Sequence, residues 1–396
     1  MNRETYSFVQ VSDVIGRDND KENIIIHLLK DTDHADQNVS VISITGLGGL
    51  GKTTLAKLVY NDSTVVRNFD LRMWVCVSYD FDNKSLVRKI IGSATNQKCE
   101  EDSFENLAIK LQNELKDTKF LLVLDDVWDK EPMGISITKW IELKALLNIG
   151  ARGSKIIVTT RNMSVVSLLG SVDYQHPLEG LSHEDCMSLF VERAFRKEEE
   201  KNFPHLMEVA NNIVKKCGGV PLAVTTLGGM LYLKRELRDW LHVRDNDIWK
   251  LEQREDGILP ALKLSYDALP LYLKPCFAFC SLFPKDYEFD SVEIVTMWMA
   301  QGFLHSSTRN EQDFEEIGLD YIRQLCSRSF FHIEEDDFFC MRFKMHDLIH
   351  DLAILVAQVE YSSVNFHQSG PFDRVRHLSI YTKDLSDNEE VPNFMI

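Results

Sequence analysis

Four short apolar runs stand out along the chain between stretches of helical periodicity: Val39–Thr45, Arg72–Val77, Phe120–Leu124 and Lys155–Thr160. They are rich in β-branched residues and do not alternate with polar ones, the pattern of strands covered on both faces. Alternation of such strands with helices predicts a parallel sheet. Between them Lys52–Tyr60 reads as a helix that follows a glycine loop, and Leu107, Leu111 and Leu115 recur at helical spacing after Ser103. Past Gly170 the helical pattern dominates. Ser182-His-Glu-Asp185 resembles a capping box with Asp in the last place, Gly218-Gly-Val-Pro-Leu222 marks a bend before another apolar helix, and Leu259–Tyr266 begins a further helical region. The last thirty residues thin into loop and one strand-like run, Val375–Ile380. The texture predicts an α/β domain over 1–175, a helical domain over 176–258 and another over 259–365, with 366–396 as a linker. No internal period of about 20 to 50 residues is visible, which excludes a solenoid here.

Composition narrows the function classes. A chain of 396 residues with 44% hydrophobic and 27% charged residues carries enough apolar material for several cores. Sixty-one acidic against 44 basic side chains give a net charge of −17, which disfavours direct binding to nucleic acid or an anionic membrane. No run approaches the roughly 18 to 20 apolar residues of a membrane span, and the first residues lack a signal core, so a cytoplasmic location is expected. The eight cysteines are scattered without Cys-x-x-Cys spacing and read as reduced, mostly buried thiols.

The strongest motif is Gly46-Leu-Gly-Gly-Leu-Gly-Lys-Thr-Thr54, a complete Walker A pattern placed after a buried strand and before a helix. Gly46, Gly48, Gly49 and Gly51 let the backbone turn its amides around phosphate oxygens, with Leu50 and Thr54 in the same loop and helix start. Lys52 is the candidate for the β- and γ-phosphates and Thr53 for a magnesium ligand. Phe120-Leu-Leu-Val-Leu-Asp-Asp126 reads as Walker B. Asp125 is then the magnesium partner, and Asp126 a candidate for positioning or activating water. Adjacent residues of a strand point to opposite faces, so the two aspartates face the metal together only if the strand ends there. The strand ending Thr159-Thr160-Arg161 brings Arg161 to the same edge as a candidate sensor of the terminal phosphate.

In this order the motifs resemble the NB-ARC module of plant intracellular immune receptors, the nucleotide-binding leucine-rich-repeat proteins. The resemblance runs over roughly residues 5 to 365. Val14-Ile-Gly-Arg17 looks like the entry motif, Phe69–Ser78 like the strand block after the P-loop, and Leu121–Trp128 like the second kinase motif. The closing Trp128 resembles the coiled-coil class of these receptors. Lys155–Arg161 is similar to the sensor block, Leu178–Ser182 through Phe190 to the start of the first helical subdomain, and Gly219-Val-Pro-Leu-Ala223 to the Gly-Leu-Pro-Leu-Ala motif. Cys276–Asp286 and Met345-His346-Asp347 resemble the two winged-helix motifs.

The resemblance implies a P-loop NTPase sheet domain followed by a helical bundle and a winged helix, with Val375–Ile380 as a first repeat strand. It implies ADP or ATP as ligand with Mg2+, Val14, Ile15, Gly16 and Arg17 bordering the adenosine, Pro221 and Leu222 on the adenine side, and His346 on the β-phosphate. His346 and His350 stand four apart, as in metalloprotease helices, but the Glu such sites require after the first histidine is Asp347 here. The implied function is a switch, closed with ADP and active with ATP, and at most a slow ATPase. The implied partners are other receptor chains or a coiled-coil and a repeat domain that this chain does not carry, as an excised module or a short member, with oligomerisation on activation. An actively cycling ATPase, or an adaptor pairing with full-length receptors, are the alternatives. Phosphate release would reveal the first and co-purification of a partner the second.

Overall fold

The computed structural model describes residues 7–30, 38–77, 81–101, 103–129, 134–170, 172–250, 260–305, 314–336, 340–357, 361–365 and 376–381. The chain divides into two compact units, Met1–Cys186 with Gly219–Pro221, and Met187–Gly218 with Leu222–Ile396. The first unit runs α1 (Asp18–Leu29), β1 (Val39–Thr45), α2 (Lys52–Tyr60), α3 (Ser63–Asn68), β2 (Leu71–Cys76), α4 (Asn83–Thr95), α5 (Phe104–Leu115), β3 (Phe120–Val127), α6 (Ile137–Leu147), β4 (Ser154–Thr160), α7 (Met163–Leu169) and β5 (Tyr174–Pro177). Its five strands form one parallel sheet in the order β2-β3-β4-β1-β5.

The four expected strands are all present, and every residue of β1 and β4 is buried, including their serines, threonines and Lys155, as strands covered on both faces require. Strand β5 is an addition. Its sequence Tyr174-Gln-His-Pro177 has no apolar run to announce it, and its place at the sheet edge explains why polar residues and a proline are tolerated there. The core on one side of the sheet is closed by α4, α5 and α6. Leu107, Leu111 and Leu115 of α5, at the spacing read from the sequence, are fully buried there with Trp140 of α6. Because all the strands are parallel, the loops after β1, β3 and β4 emerge at one carboxyl edge, which positions the site.

Helix α8 (His183–Ala194) crosses the division between the units. Its capping pattern is half as expected: Ser182 Oγ accepts the Asp185 amide at 3.0 Å, while Asp185 accepts the Ser182 hydroxyl at 2.7 Å. The shorter Asp side chain meets the hydroxyl at this position.

The second unit continues with α9 (Pro204–Lys216), α10 (Pro221–Leu231), α11 (Leu237–Asp245), α12 (Pro260–Asp267), α13 (Leu273–Phe279), β6 (Phe289–Asp290), α14 (Ser291–Ala300), α15 (Phe314–Ser327), β7 (His332–Asp336), β8 (Met341–Lys344) and α16 (Asp347–Ala357). Strands β6-β8-β7 form a small antiparallel sheet in which Phe289 pairs with Phe343, their rings stacked 5.2 Å apart. With Trp298 of α14 and Phe277 of α13 these rings make the core of the wing. Cys276 and Cys280 sit in that core as free thiols, and burial pushes both thiols up, so they behave as apolar filling. Val375 of the strand-like run Val375–Ile380 lies outside the described residues, and Arg376 precedes the strand. The rest belongs to β10 (His377–Tyr381), which pairs in parallel with an unexpected β9 (Tyr361–Asn365). No helix among the described residues is long and apolar enough to cross a membrane.

Two helical glycines test how tightly this packing is set. A Cβ on Gly229 of α10 would stand 2.7 Å from the Ser327 carbonyl and 3.1 Å from the Arg328 Cα, both backbone atoms of the same unit. At Gly92 of α4 the nearest atom, the Gln97 carbonyl, is at an ordinary 3.4 Å. Gly229→Ala is therefore expected to destabilise by about 1–3 kcal/mol through overpacking. Gly92→Ala is expected to stabilise by about 0.5–1 kcal/mol through helix propensity. Chemical denaturation of the two variants, read as midpoints, checks the opposite signs.

Candidate nucleotide-binding site

The glycine loop takes the backbone shapes that the sequence demanded. Gly51, with φ of +91°, is the left-handed N-cap from which α2 starts, so the first amides of that helix point out of its amino end into the loop. At Gly46 a Cβ would stand 2.8 Å from the Leu178 carbonyl, so only glycine lets β1 end this close to the segment after β5. Leu50 of the loop is buried. Lys52, 7% exposed, donates from Nζ to the carbonyls of Gly46 and Leu47 at 2.8 and 2.9 Å. Its ammonium thus lies across the mouth of the loop it belongs to.

Behind the loop, Asp125 is fully buried and accepts two hydroxyls at one oxygen, from Thr53 at 2.9 Å and from Thr159 at 2.6 Å. The Asp126 amide donates in turn to Thr159 Oγ1 at 2.8 Å, so the hydroxyl relays between the two aspartates. Thr159 lies in the Thr159-Thr160-Arg161 run and is a site residue that the motifs alone do not single out. The polar pair closing an otherwise apolar strand was the signal for it.

The two aspartates solve the alternation problem in an unexpected way. The strand does not end at Asp125. It bulges between Leu124 and Val127 against β4, and Asp126 takes a left-handed φ of +56°. Asp126 thereby turns toward Trp128 and Arg161: its Oδ2 accepts the Trp128 indole N–H at 2.8 Å, and its Oδ1 lies 3.7 Å from Arg161 Nε. The Arg161 guanidinium lies over the Trp128 ring, 4.8 Å from its centroid.

The entry motif is drawn into the same place. Arg17, 6% exposed, donates to the carbonyls of Leu50 and Glu179 at 2.9 and 3.0 Å and pairs with Asp20 at 2.9 Å. Its guanidinium ties the P-loop backbone to the segment after β5. Val14 and Ile15 are half-buried beside it, and Gly16, with φ of +73°, passes so close to Asp185 that a Cβ would stand 2.6 Å from the carboxyl. Gly219 joins this segment too: its carbonyl accepts the Leu181 amide at 2.8 Å, and a Cβ on it would stand 2.9 Å from the Gly180 Cα. Pro221 follows two residues on as the first residue of α10, where a missing amide costs nothing. The first unit therefore brings together the entry motif, the P-loop, Asp125, Asp126, Arg161 and Pro221.

Leu222 and His346 belong to the second unit. There His346 is exposed, and its Nδ1 accepts the Leu348 amide at 3.1 Å, which leaves the ring proton of the neutral form on Nε2. Asp347 is buried as the first residue of α16. The neighbouring His350 is also buried, its Nε2 donating to the Phe283 carbonyl at 2.7 Å, and burial pushes its pKa down. It serves the core of the wing.

The donor set suits a particular kind of metal. Among the described residues no group of three or more His, Cys, Asp or Glu side chains is placed to hold an ion. Thr53 Oγ1 and Asp125 Oδ1, 2.9 Å apart, offer one hydroxyl and one carboxylate, both hard oxygen ligands. Such a partial set fits magnesium, which takes its other ligands from phosphate and water.

The family described as NB-ARC domain matches residues 17–200, and that described as disease resistance protein winged helix domain matches residues 282–353. The chain is 44% identical over 379 residues to the disease resistance protein RGA2 of Solanum bulbocastanum, covering 96% of this chain and 38% of that protein. It is 38% identical over 390 residues to the disease resistance RPP13-like protein 1 of Arabidopsis thaliana, covering 98% of this chain and 36% of that one. The chain thus spans little more than a third of these relatives. Among solved structures, a Signal Transduction ATPase with Numerous Domains protein with a tetratricopeptide repeat sensor from Pyrococcus horikoshii matches with a TM-score of 0.54. The identity is 16%, over 90% of this chain and 44% of that one, a likeness of fold. The parallel-sheet P-loop domain and the winged helix expected from the sequence are both present, and the chain belongs to the NB-ARC nucleotide-binding family of plant disease resistance proteins.

Proposed function

We propose that this chain is the ADP/ATP switch of a plant intracellular immune receptor, resting with ADP and activated by exchange for ATP. The observation that carries the reading is the buried Asp125 carboxylate gathering Thr53 of the P-loop helix and Thr159 of β4, with Lys52 across the loop mouth. In this reading Gly46, Gly48, Gly49, Leu50, Gly51 and Thr54 line the phosphates, and Lys52 moves from the loop carbonyls to the phosphate oxygens. Thr53 and Asp125 hold Mg2+, which would offset phosphate charge. Val14 through Arg17, Pro221 and Leu222 serve the adenosine end. Arg161 answers to the terminal phosphate and His346 to ADP. The reading includes a nucleotide-binding domain to residue 175, a helical domain over 176–258, a winged helix over 259–365 and the start of leucine-rich repeats in 366–396. Coiled-coil and repeat domains, other receptor chains in an oligomer, and a cytoplasmic location complete it.

A switch needs only differential affinity. Carrying a two-state population from 1:99 to 99:1 takes a ligand that binds one state more tightly than the other by roughly 5.5 kcal/mol. Hydrolysis is expected to be slow, because Asp126 is held by Trp128 rather than standing ready as a base.

Lys52→Arg tests the site. At a free concentration of one hundred times Kd, ADP stabilises the wild-type chain by about 2.7 kcal/mol. The variant is expected to lose most of that increment in a thermal-shift titration, and equal stabilisation of both proteins would remove Lys52 from the phosphate site. Asp347→Val tests the switch, since it alters the first turn of α16 beside His346. Chromatography of nucleotide extracted from the purified variant should show the ATP share rising several-fold over wild type; an unchanged ADP content counts against the resting-state reading.

A further inference from the structure

The ring of Trp128, in the first unit, lies beneath the Arg161 guanidinium. Strand β4 ends beside β1 with Thr160 opposite Thr45, so Arg161 stands level with Gly46, where the P-loop begins. From there the guanidinium lies over the Trp128 ring at 4.8 Å and beside Asp126 Oδ1 at 3.7 Å. The indole N–H holds the same Asp126 carboxylate at 2.8 Å, and the Asp126 amide is fixed by Thr159. Trp128 therefore grips both ends of one ion pair, the cation through its ring face and the anion through its N–H.

We propose that Trp128 is a positioning residue that retains Arg161, and so sets how strongly the site prefers a γ-phosphate-bearing nucleotide over ADP. The inference rests on the nucleotide reading above. A γ-phosphate recruits Arg161 only by drawing it off the Trp128 ring and away from Asp126, whereas ADP makes no such demand. The hold thus weakens ATP selectively and leaves the ADP-bound state favoured. The same grip keeps Asp126 turned from the phosphate side of the loop, because its carboxylate follows the indole.

The test is a double-mutant cycle on the whole 396-residue chain, reading the ratio of Kd for ADP to Kd for a non-hydrolysable ATP analogue by calorimetry. Trp128→Leu should raise this ratio about five-fold, the scale of one released cation–π contact. Arg161→Ala should lower it, and Trp128→Leu combined with Arg161→Ala should match Arg161→Ala alone. Trp128→Phe, which keeps a ring but loses the indole N–H, should give an intermediate ratio and serves for the cycle if the leucine variant does not fold. A ratio unmoved by either Trp128 variant, or an equal rise in the Arg161→Ala background, overturns the proposal. So does an equal loss of affinity for both nucleotides, the mark of a merely structural tryptophan. Those outcomes leave nucleotide binding by the wild type intact; a wild type that binds neither nucleotide would instead sink the underlying reading, and this inference with it.

Discussion

A carboxylate with no exposure to water is the constraint around which the first unit is organised. Desolvating an ionised Asp125 costs several kcal/mol unless donors replace the lost water. The replacements come from two directions, Thr53 from the helix after β1 and Thr159 from the neighbouring strand β4. Strand order puts them in reach: β4 lies between β3 and β1, so one Asp125 oxygen on β3 meets a hydroxyl from β4 and another from the helix that follows β1. Any displacement of the P-loop helix from the sheet would take a donor from that buried charge. The loop's position is therefore fixed by electrostatics at its back, while its front is left to the phosphates.

The backbone of Leu178–Leu181 supplies the second fixed reference. Its amides and carbonyls meet Thr45 at the end of β1, Arg17 of the entry motif, and Gly219 ahead of α10, while Gly46 passes close by. Segments more than 160 residues apart thus share one short stretch of main chain. Such contacts tolerate little change of shape and much change of side chain, provided that Gly46 and Gly219 remain without a Cβ.

Much of this was legible in the sequence for plain reasons. The three central strands β1, β3 and β4 are covered on both faces, and β2, though at an edge, keeps the apolar run Met73–Cys76, while the Walker A loop requires glycine, lysine and hydroxyl residues at fixed spacing. What was not legible followed a different physics. Strand β5 lies at an edge, where burial is partial and Tyr174-Gln-His-Pro177 can be polar. Arg17 reads as one charged residue in an entry motif, yet its buried guanidinium serves backbone carbonyls, a role set by residues 33 and 162 positions away. Thr159 is a polar residue at the end of an apolar strand, and its partners come from β3, a neighbour known only once the strand order is known.

The bulge at Asp126 shows how such partners can stabilise an otherwise unfavourable shape. A left-handed φ in a non-glycine residue costs on the order of 1 kcal/mol or more, though aspartate bears it better than most. Here its amide is satisfied by Thr159, one oxygen by the Trp128 indole, and the other faces Arg161. Each contact is modest, and together they exceed the cost of the strained residue. The outcome is chemical as well as structural. With a regular strand, Asp126 would sit on the face opposite Asp125, inside the sheet's packing. With the bulge it stays at the carboxyl edge, close to the nucleotide loop yet committed to tryptophan and arginine, an arrangement suited to holding a nucleotide more than to consuming it.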